Sequence, residues 1–221
     1  MLSHDPFDSR KNLRSFKEEA QRHFNNEQDL NNLCSVFKFC ILLDSVVTNT
    51  HNLSHKSHIQ GLIYDTMNSI VSTFLLRERY LYLNIRSVIE NIARIALSKS
   101  DGGDAFDGTV RRKDFMFLKE NKPNENWKFM HETYIRACAF VHLSPQSGLN
   151  ISSTFKQLVA DDHQTNPTKQ ILNLQKILSS VMRIFLVYFK EEVSTVYFRA
   201  QADLQFVLGR SLYKFYQELI G

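Results

Sequence analysis

Two side chains near the close of one apolar stretch could act jointly on a phosphate: Arg136 and His142, six residues apart within residues 127–145, WKFMHETYIRACAFVHLSP. An imidazole exchanges protons near neutral pH, and at a helix C-terminus the macrodipole favours its protonated form. A guanidinium is always charged and fork-shaped, so it holds a phosphodiester and offsets the charge that grows in the transition state. Together the two groups are suited to cleaving RNA without a metal. Six helical steps of about 100° leave them roughly 120° apart, so they converge only if the helix end unwinds or a second copy supplies the partner. The alternative is structural: Arg136 pairs with Glu132 one turn back, and His142 caps the helix by bonding a last-turn carbonyl.

The helix that must position the pair carries Trp127, Met130, Tyr134, Cys138 and Val141 at helical spacing, which predicts one buried face. Pro145 disfavours helix at Ser144, which places His142 in the last turn. The whole chain is poor in turn residues: 7 Gly and 4 Pro in 221 residues, against an average usage of about 12% for the two together. That shortage predicts an all-α fold, and the length suits a single domain over 1–221, with N-terminal helices in 1–55, a motif-bearing core in 59–144 and long closing helices in 165–221. A net charge of +4 tolerates a phosphate-bearing partner without demanding one. The N-terminal residues lack the basic-then-apolar layout of a signal peptide, and the longest strongly apolar run, 184–189, is too short to cross a bilayer. A cytoplasmic protein without a membrane role is expected. Cys34, Cys40 and Cys138 each sit within a helical apolar pattern and read as buried thiols, with no disulfide framework.

Along the chain, residues 8–25 predict a charged helix lying across the surface, with Leu13, Phe16, Ala20 and Phe24 on one side and Asp8 or Ser9 as cap. Residues 27–48 predict a core helix. His51, His55 and His58 follow at i, i+4 and i+7, a metal-binding spacing on a continuous helix, but Asn, Ser and Thr crowd the segment and favour a solvated turn. Residues 59–97 read as helix almost without a break, bent near 72–74, with Leu81, Ile85, Val88, Ile89, Ile92, Ile95 and Ala96 as its stripe. Beside that stripe Arg86 and Glu90 sit four apart, either as an intrahelical ion pair or as supports flanking Arg136 and His142. A loop rich in Gly and Asp then leads to Arg111, Arg112 and Lys113, a basic cluster that is either solvated surface or a contact for backbone phosphates. A short helix at 113–119 and a Pro123 turn precede the central stretch, capped by Asn124 or Asn126. Beyond Pro145 the pattern gives a loop, a short helix at 154–160, a polar turn, and long helices at 168–191 and 195–219. The last shows Phe198, Phe206, Tyr213 and Tyr216 off its apolar stripe, which suits either an oligomer contact or enclosure by other helices.

A helix reading RERYLYLNIRSVIENIARIAL, then a loop, then a helix ending RACAFVH, resembles the higher eukaryote and prokaryote nucleotide-binding (HEPN) superfamily, marked by Arg, four to six residues, then His at a helix end. The resemblance covers residues 59–144. It implies an up-and-down helical bundle, commonly dimeric, in which two copies of the motif form one endoribonuclease site that needs no metal or other cofactor. It also implies a setting in phage defence, toxin–antitoxin pairs or RNA processing, with RNA as substrate and an antitoxin or defence-system protein as possible partner. On that model His142 carries proton transfer at the ribose 2′-OH or the leaving oxygen, and Arg136 binds the scissile phosphate. Active members often carry a polar residue directly after the Arg, and this chain has Ala137. A catalytically inactive module that binds a protein, RNA or nucleotide is the alternative.

Overall fold

Asn26 opens the helix around which the others are gathered: its side-chain oxygen accepts the backbone N–H groups of Gln28 and Asp29 at 2.8 and 3.1 Å, satisfying two of the donors that a helix start leaves unpaired. The computed structural model describes residues 8–100, 108–144 and 165–221, and these contain eight helices and no strand. In chain order they are α1 Ser9–Ala20, α2 Glu27–Asn49, α3 Lys56–Phe74, α4 Glu78–Ser100, α5 Arg112–Asn121, α6 Trp127–Val141, α7 Pro167–Val196 and α8 Gln201–Ile220. The expected short helix at 154–160, the turn at 161–164 and Pro145 lie outside the described residues.

Leu33, Val36, Leu42, Leu43 and Val46 of α2 are fully enclosed, because α1, α3, α7 and α8 all pack on this one helix. Its first turn is tied to α7 by the Thr168 hydroxyl, which donates to Asp29 at 2.7 Å. By length and composition α2 and α7 are each long and apolar enough to cross a membrane. Of the most apolar window, 72% in α2 and 56% in α7 is buried inside the protein.

The expected long helix over 59–97 is two helices, broken at residues 75–77. Leu76 takes a left-handed conformation (φ 54°), its N–H bonds the Thr73 carbonyl, and the Arg77 N–H bonds the Ser72 carbonyl at 2.8 Å. This is a Schellman stop, normally supplied by Gly, and a Leu there costs about 1 kcal/mol or more in backbone strain. The chain reverses and α4 returns along α3, a pairing drawn together at Gly61. A Cβ added to Gly61 would lie 2.7 Å from the Asn91 amide nitrogen. Asn91 cannot easily yield, since it donates to Asp65 at 3.1 Å and accepts from Arg94 at 3.1 Å. Gly61→Ala is expected to destabilise by about 1–2 kcal/mol, because overpacking outweighs the gain in helix propensity. In an Asn91→Ala background the same change should stabilise, and denaturant titrations of the four proteins check that reversal of sign.

α4 carries the stripe that the periodicity predicts: Leu81, Ile85, Val88, Ile89, Ile92, Ile95 and Ala96 are all buried. α6 runs antiparallel to it, with Tyr82 stacked on Phe140 at 3.8 Å and Tyr134 reaching Glu90. The buried face of α6 is Trp127, Met130, His131, Ala137 and Phe140; Tyr134, Cys138 and Val141 are only half-buried. The face is therefore rotated from the expected one, and Cys138 is not the enclosed thiol that Cys34 and Cys40 are. Almost every residue from 134 to 141 is apolar, so the pattern left the rotation open, and the fit of Phe140 against Tyr82 decides it.

In the closing pair, α7 bends at Phe189, whose backbone leaves the helical region, and α8 bends at Gly209, where φ is 71° and ψ 167°. Of the four aromatics off the α8 stripe, Tyr216 is enclosed and Phe206 lies under the Arg10 and Lys38 cations at 4.5 and 4.2 Å. Phe198 is 73% exposed.

Candidate functional site

His142 ends α6 as its C-cap residue and is exposed. Its backbone closes a second Schellman stop: Leu143 N–H bonds the Phe140 carbonyl at 3.3 Å and Ser144 N–H the Ala139 carbonyl at 3.0 Å, with Leu143 left-handed at φ 51°. A side-chain-bearing residue held in that region immediately after a candidate catalytic imidazole is the kind of strain that collects at functional positions. The end is also tethered from α4, since an Arg79 guanidinium nitrogen donates to the Val141 carbonyl at 3.0 Å. No local spacing in the sequence relates Arg79 to a carbonyl 62 positions on.

Arg136 is exposed on a different flank of α6. Its guanidinium stands 5.6 Å from the centre of the Tyr82 ring and 5.9 Å from that of Phe140, held by ring faces. The sequence alternative of an Arg136–Glu132 pair is absent: among the described residues no carboxylate pairs with Arg136. It opens instead onto a cleft of about 260 Å³ that it shares with Thr165, Lys169, Leu172, Asn173 and Lys176. Among the described residues three cations and no carboxylate line this cleft, a composition suited to an oxyanion. Burial pushes the neighbouring Tyr82 hydroxyl upward from its ordinary range. No hydrogen bond or ion pair joins Arg136 and His142.

Arg86 and Glu90 do form the intrahelical pair, at 2.9 Å, and Glu90 also accepts from Arg94 at 3.3 Å and from the Tyr134 hydroxyl at 3.0 Å. Burial and the adjacent Glu90 carboxylate push the Tyr134 phenol up to about 12. The network ties α4 to α6 and continues through Asn91 to Asp65 of α3, where Ser87 donates at 2.6 Å. It hydrogen-bonds neither Arg136 nor His142, so Arg86 and Glu90 support the helix that carries the motif and do not touch the motif itself.

Glu132 belongs to a different cleft, of about 400 Å³, lined by Lys119, Pro123, Glu125, Lys128, His131 and Glu132. There His131 stacks on Phe115 at 4.8 Å and its Nδ1 meets the Lys119 ammonium at 3.2 Å, an arrangement that makes the imidazole the acceptor. Glu125 accepts from the Trp127 indole at 2.6 Å and from Tyr188 at 3.3 Å, and burial pushes its carboxyl upward. Arg111, Arg112 and Lys113 are exposed at the start of α5, where Asp114 closes back on the Arg111 backbone N–H at 2.6 Å. His51 lies in a turn, His55 is left-handed at φ 57°, and its ring stacks beside His58 at 6.2 Å. Among the described residues no three His, Cys, Asp or Glu side chains converge as a metal site would require.

Burial and nearby cations push three histidines, His55, His58 and His131, below the ordinary imidazole value of 6.5. A depressed value means that the unfolded chain takes up these protons first, so the stability they contribute is complete above pH 6.5 and lost as pH falls through the folded values. Burial raises Asp65 and Glu125, whose contribution has the opposite sign and is lost as pH rises through the carboxylate range. The melting temperature is expected to be flat above pH 7 and to fall on acidification below 6.5. His131→Asn, which keeps an acceptor for Lys119, should flatten that fall; thermal melts from pH 7.5 to 5.5 measure both.

The residues that sequence reasoning missed in the α6–α7 cleft did leave a signal. Lys169, Lys176, Arg183 and Lys190 recur every seven residues, and no Asp or Glu occurs from 167 to 190.

No protein-family model, curated protein or solved structure matches this chain.

Proposed function

We propose that this chain is a metal-independent endoribonuclease of the HEPN type, an up-and-down helical bundle that acts as a homodimer. One copy's His142 moves the proton at the ribose 2′-OH or leaving oxygen, and a guanidinium of Arg136 binds the scissile phosphate. The observation that carries the reading is the state of the two side chains. Both are exposed at or near one helix end, and the guanidinium is held by aromatic faces, with no carboxylate among the described residues to neutralise it. They lie on different flanks of α6, so a joint site needs a second copy. Ile135 on α6 and Leu143 just past its end, with Tyr80 and Leu83 on the adjoining part of α4, are 37–59% exposed and supply apolar surface for that contact. The setting proposed is a cytoplasmic phage-defence or toxin effector, restrained by an antitoxin or defence-system protein. In this reading Arg111, Arg112 and Lys113 add phosphate contacts away from the scissile bond.

Ala137 favours a second reading. It is fully buried on the α6 face that meets α4, so a polar residue there would point into the core and away from Arg136. Whatever that position contributes in active HEPN members is missing, which suits a module that binds RNA or a partner and does not cut.

The experiment that separates them is cleavage of labelled single-stranded RNA in EDTA, with the new ends identified by mass spectrometry. Products carrying 2′,3′-cyclic phosphate are expected. RNA that stays intact while bound supports the second reading, and cleavage abolished by EDTA rules out the first.

A further inference from the structure

We propose that the cationic line along α7 is the track for an RNA strand, with Lys169, Lys176 and Arg183 each on a backbone phosphate and Arg136 receiving the strand at its end. This rests on the reading of the chain as an RNA-binding protein and goes beyond it by naming the surface. Seven-residue spacing drifts only about 20° per repeat on a helix, so the three side chains form a nearly straight ridge, roughly 10 Å between neighbours. All three are exposed, and among the described residues none is paired with a carboxylate. Lys190, next in the series, is different: its ammonium donates to the Leu219 carbonyl at 3.3 Å and lies 4.0 Å from Glu191, so the open track stops before it.

Two features make the ridge more than a solvated charged face. Arg183 is held by an aromatic ring, standing 4.7 Å from the centre of Phe215, as Arg136 at the other end of the track is by Tyr82 and Phe140. Its first two members also share a cleft with Arg136, where the Asn173 amide and the Thr165 hydroxyl add neutral donors. A strand along this line runs towards the α6 end, which is where the proposed chemistry lies.

The test uses the full chain carrying His142→Ala, so that RNA is not consumed, and a fluorescein-labelled 20-mer of oligouridine titrated at several salt concentrations. For single strands log K falls with log salt by about 0.7 for each phosphate neutralised. K169Q/K176Q/R183Q should therefore lower the slope by about 2 and weaken binding at 0.1 M salt by about a hundredfold. Should the triple variant melt early because Arg183 packs on Phe215, K169Q/K176Q alone should lower the slope by about 1.4. Equal affinity and slope in the variants overturns the track, as does failure of the His142→Ala protein to bind the oligonucleotide at low salt. Ridge-dependent binding to phosphatidylserine vesicles without RNA binding overturns it in favour of a membrane surface. RNA that is bound through the ridge but never cut by the unsubstituted chain leaves the track standing and removes the nuclease reading. Cleavage with an unchanged KM in the triple variant does the reverse.

Discussion

His142→Ala is expected to lower RNA cleavage by about 10²–10⁴-fold, the usual contribution of a positioned proton-transfer group. The melting temperature should scarcely move, because the side chain is exposed and only the backbone of His142 takes part in closing α6. Arg136→Ala should also remove cleavage, and Arg136→Lys should not restore it, since a lysine keeps the charge but loses the planar fork. The pair of single variants carries a further expectation. Arg136 and His142 lie on different flanks of α6, and no hydrogen bond or ion pair joins them within a protomer. A mixture of the two inactive proteins should therefore regain activity, one copy supplying the guanidinium and the other the imidazole. Recovery on mixing, followed by fluorescence from a quenched RNA, is the decisive measurement. Activity in a strictly monomeric preparation, or no recovery in a preparation shown to exchange subunits, sinks the composite site.

Trp127→Ala should have the largest effect on stability. The indole is fully buried at the first turn of α6, packs near Phe115, and donates from Nε1 to Glu125 at 2.6 Å. Truncation leaves a cavity and removes a donor from a carboxylate that burial already disfavours, a loss of about 3–5 kcal/mol. For a chain of this size that corresponds to a fall in melting temperature of roughly 6–20 °C. Trp127→Phe, which restores most of the volume but not the N–H, should recover more than half of the loss. Calorimetry distinguishes the two, and a truncation costing under about 1 kcal/mol would show that the first turn of α6 contributes little to the core.

The helices themselves were legible because burial leaves a period of 3.6 in the sequence. The stripe from Leu81 to Ala96 and the run from Leu30 to Val47 both became enclosed faces. The turn between α3 and α4 was not legible, since it is made by Leu76 in a conformation that sequence reading reserves for Gly or Asn. The same substitution of Leu for Gly closes α6 at Leu143. At the candidate site, the exposure of both motif residues follows from their polar character. Their separation onto different flanks follows from six helical steps, whereas the neighbours that each one meets depend on the rotation of α6 fixed by Tyr82 and Phe140. Arg79, Tyr82 and Asn173 reach the site from α4 and α7, and no local spacing in the chain relates them to it.

The central place of α2 sets an order of events for the nascent chain. Its 23 residues have the hydropathy of a membrane-spanning segment, yet α7, one of the helices that cover it, begins about 118 residues later. At ribosomal speeds of about 5–20 residues per second that interval lasts roughly 6–24 s. During it, of the helices that cover α2 only α1 and α3 have been made, so synthesis without holdase chaperones should yield aggregates nucleated by the N-terminal third.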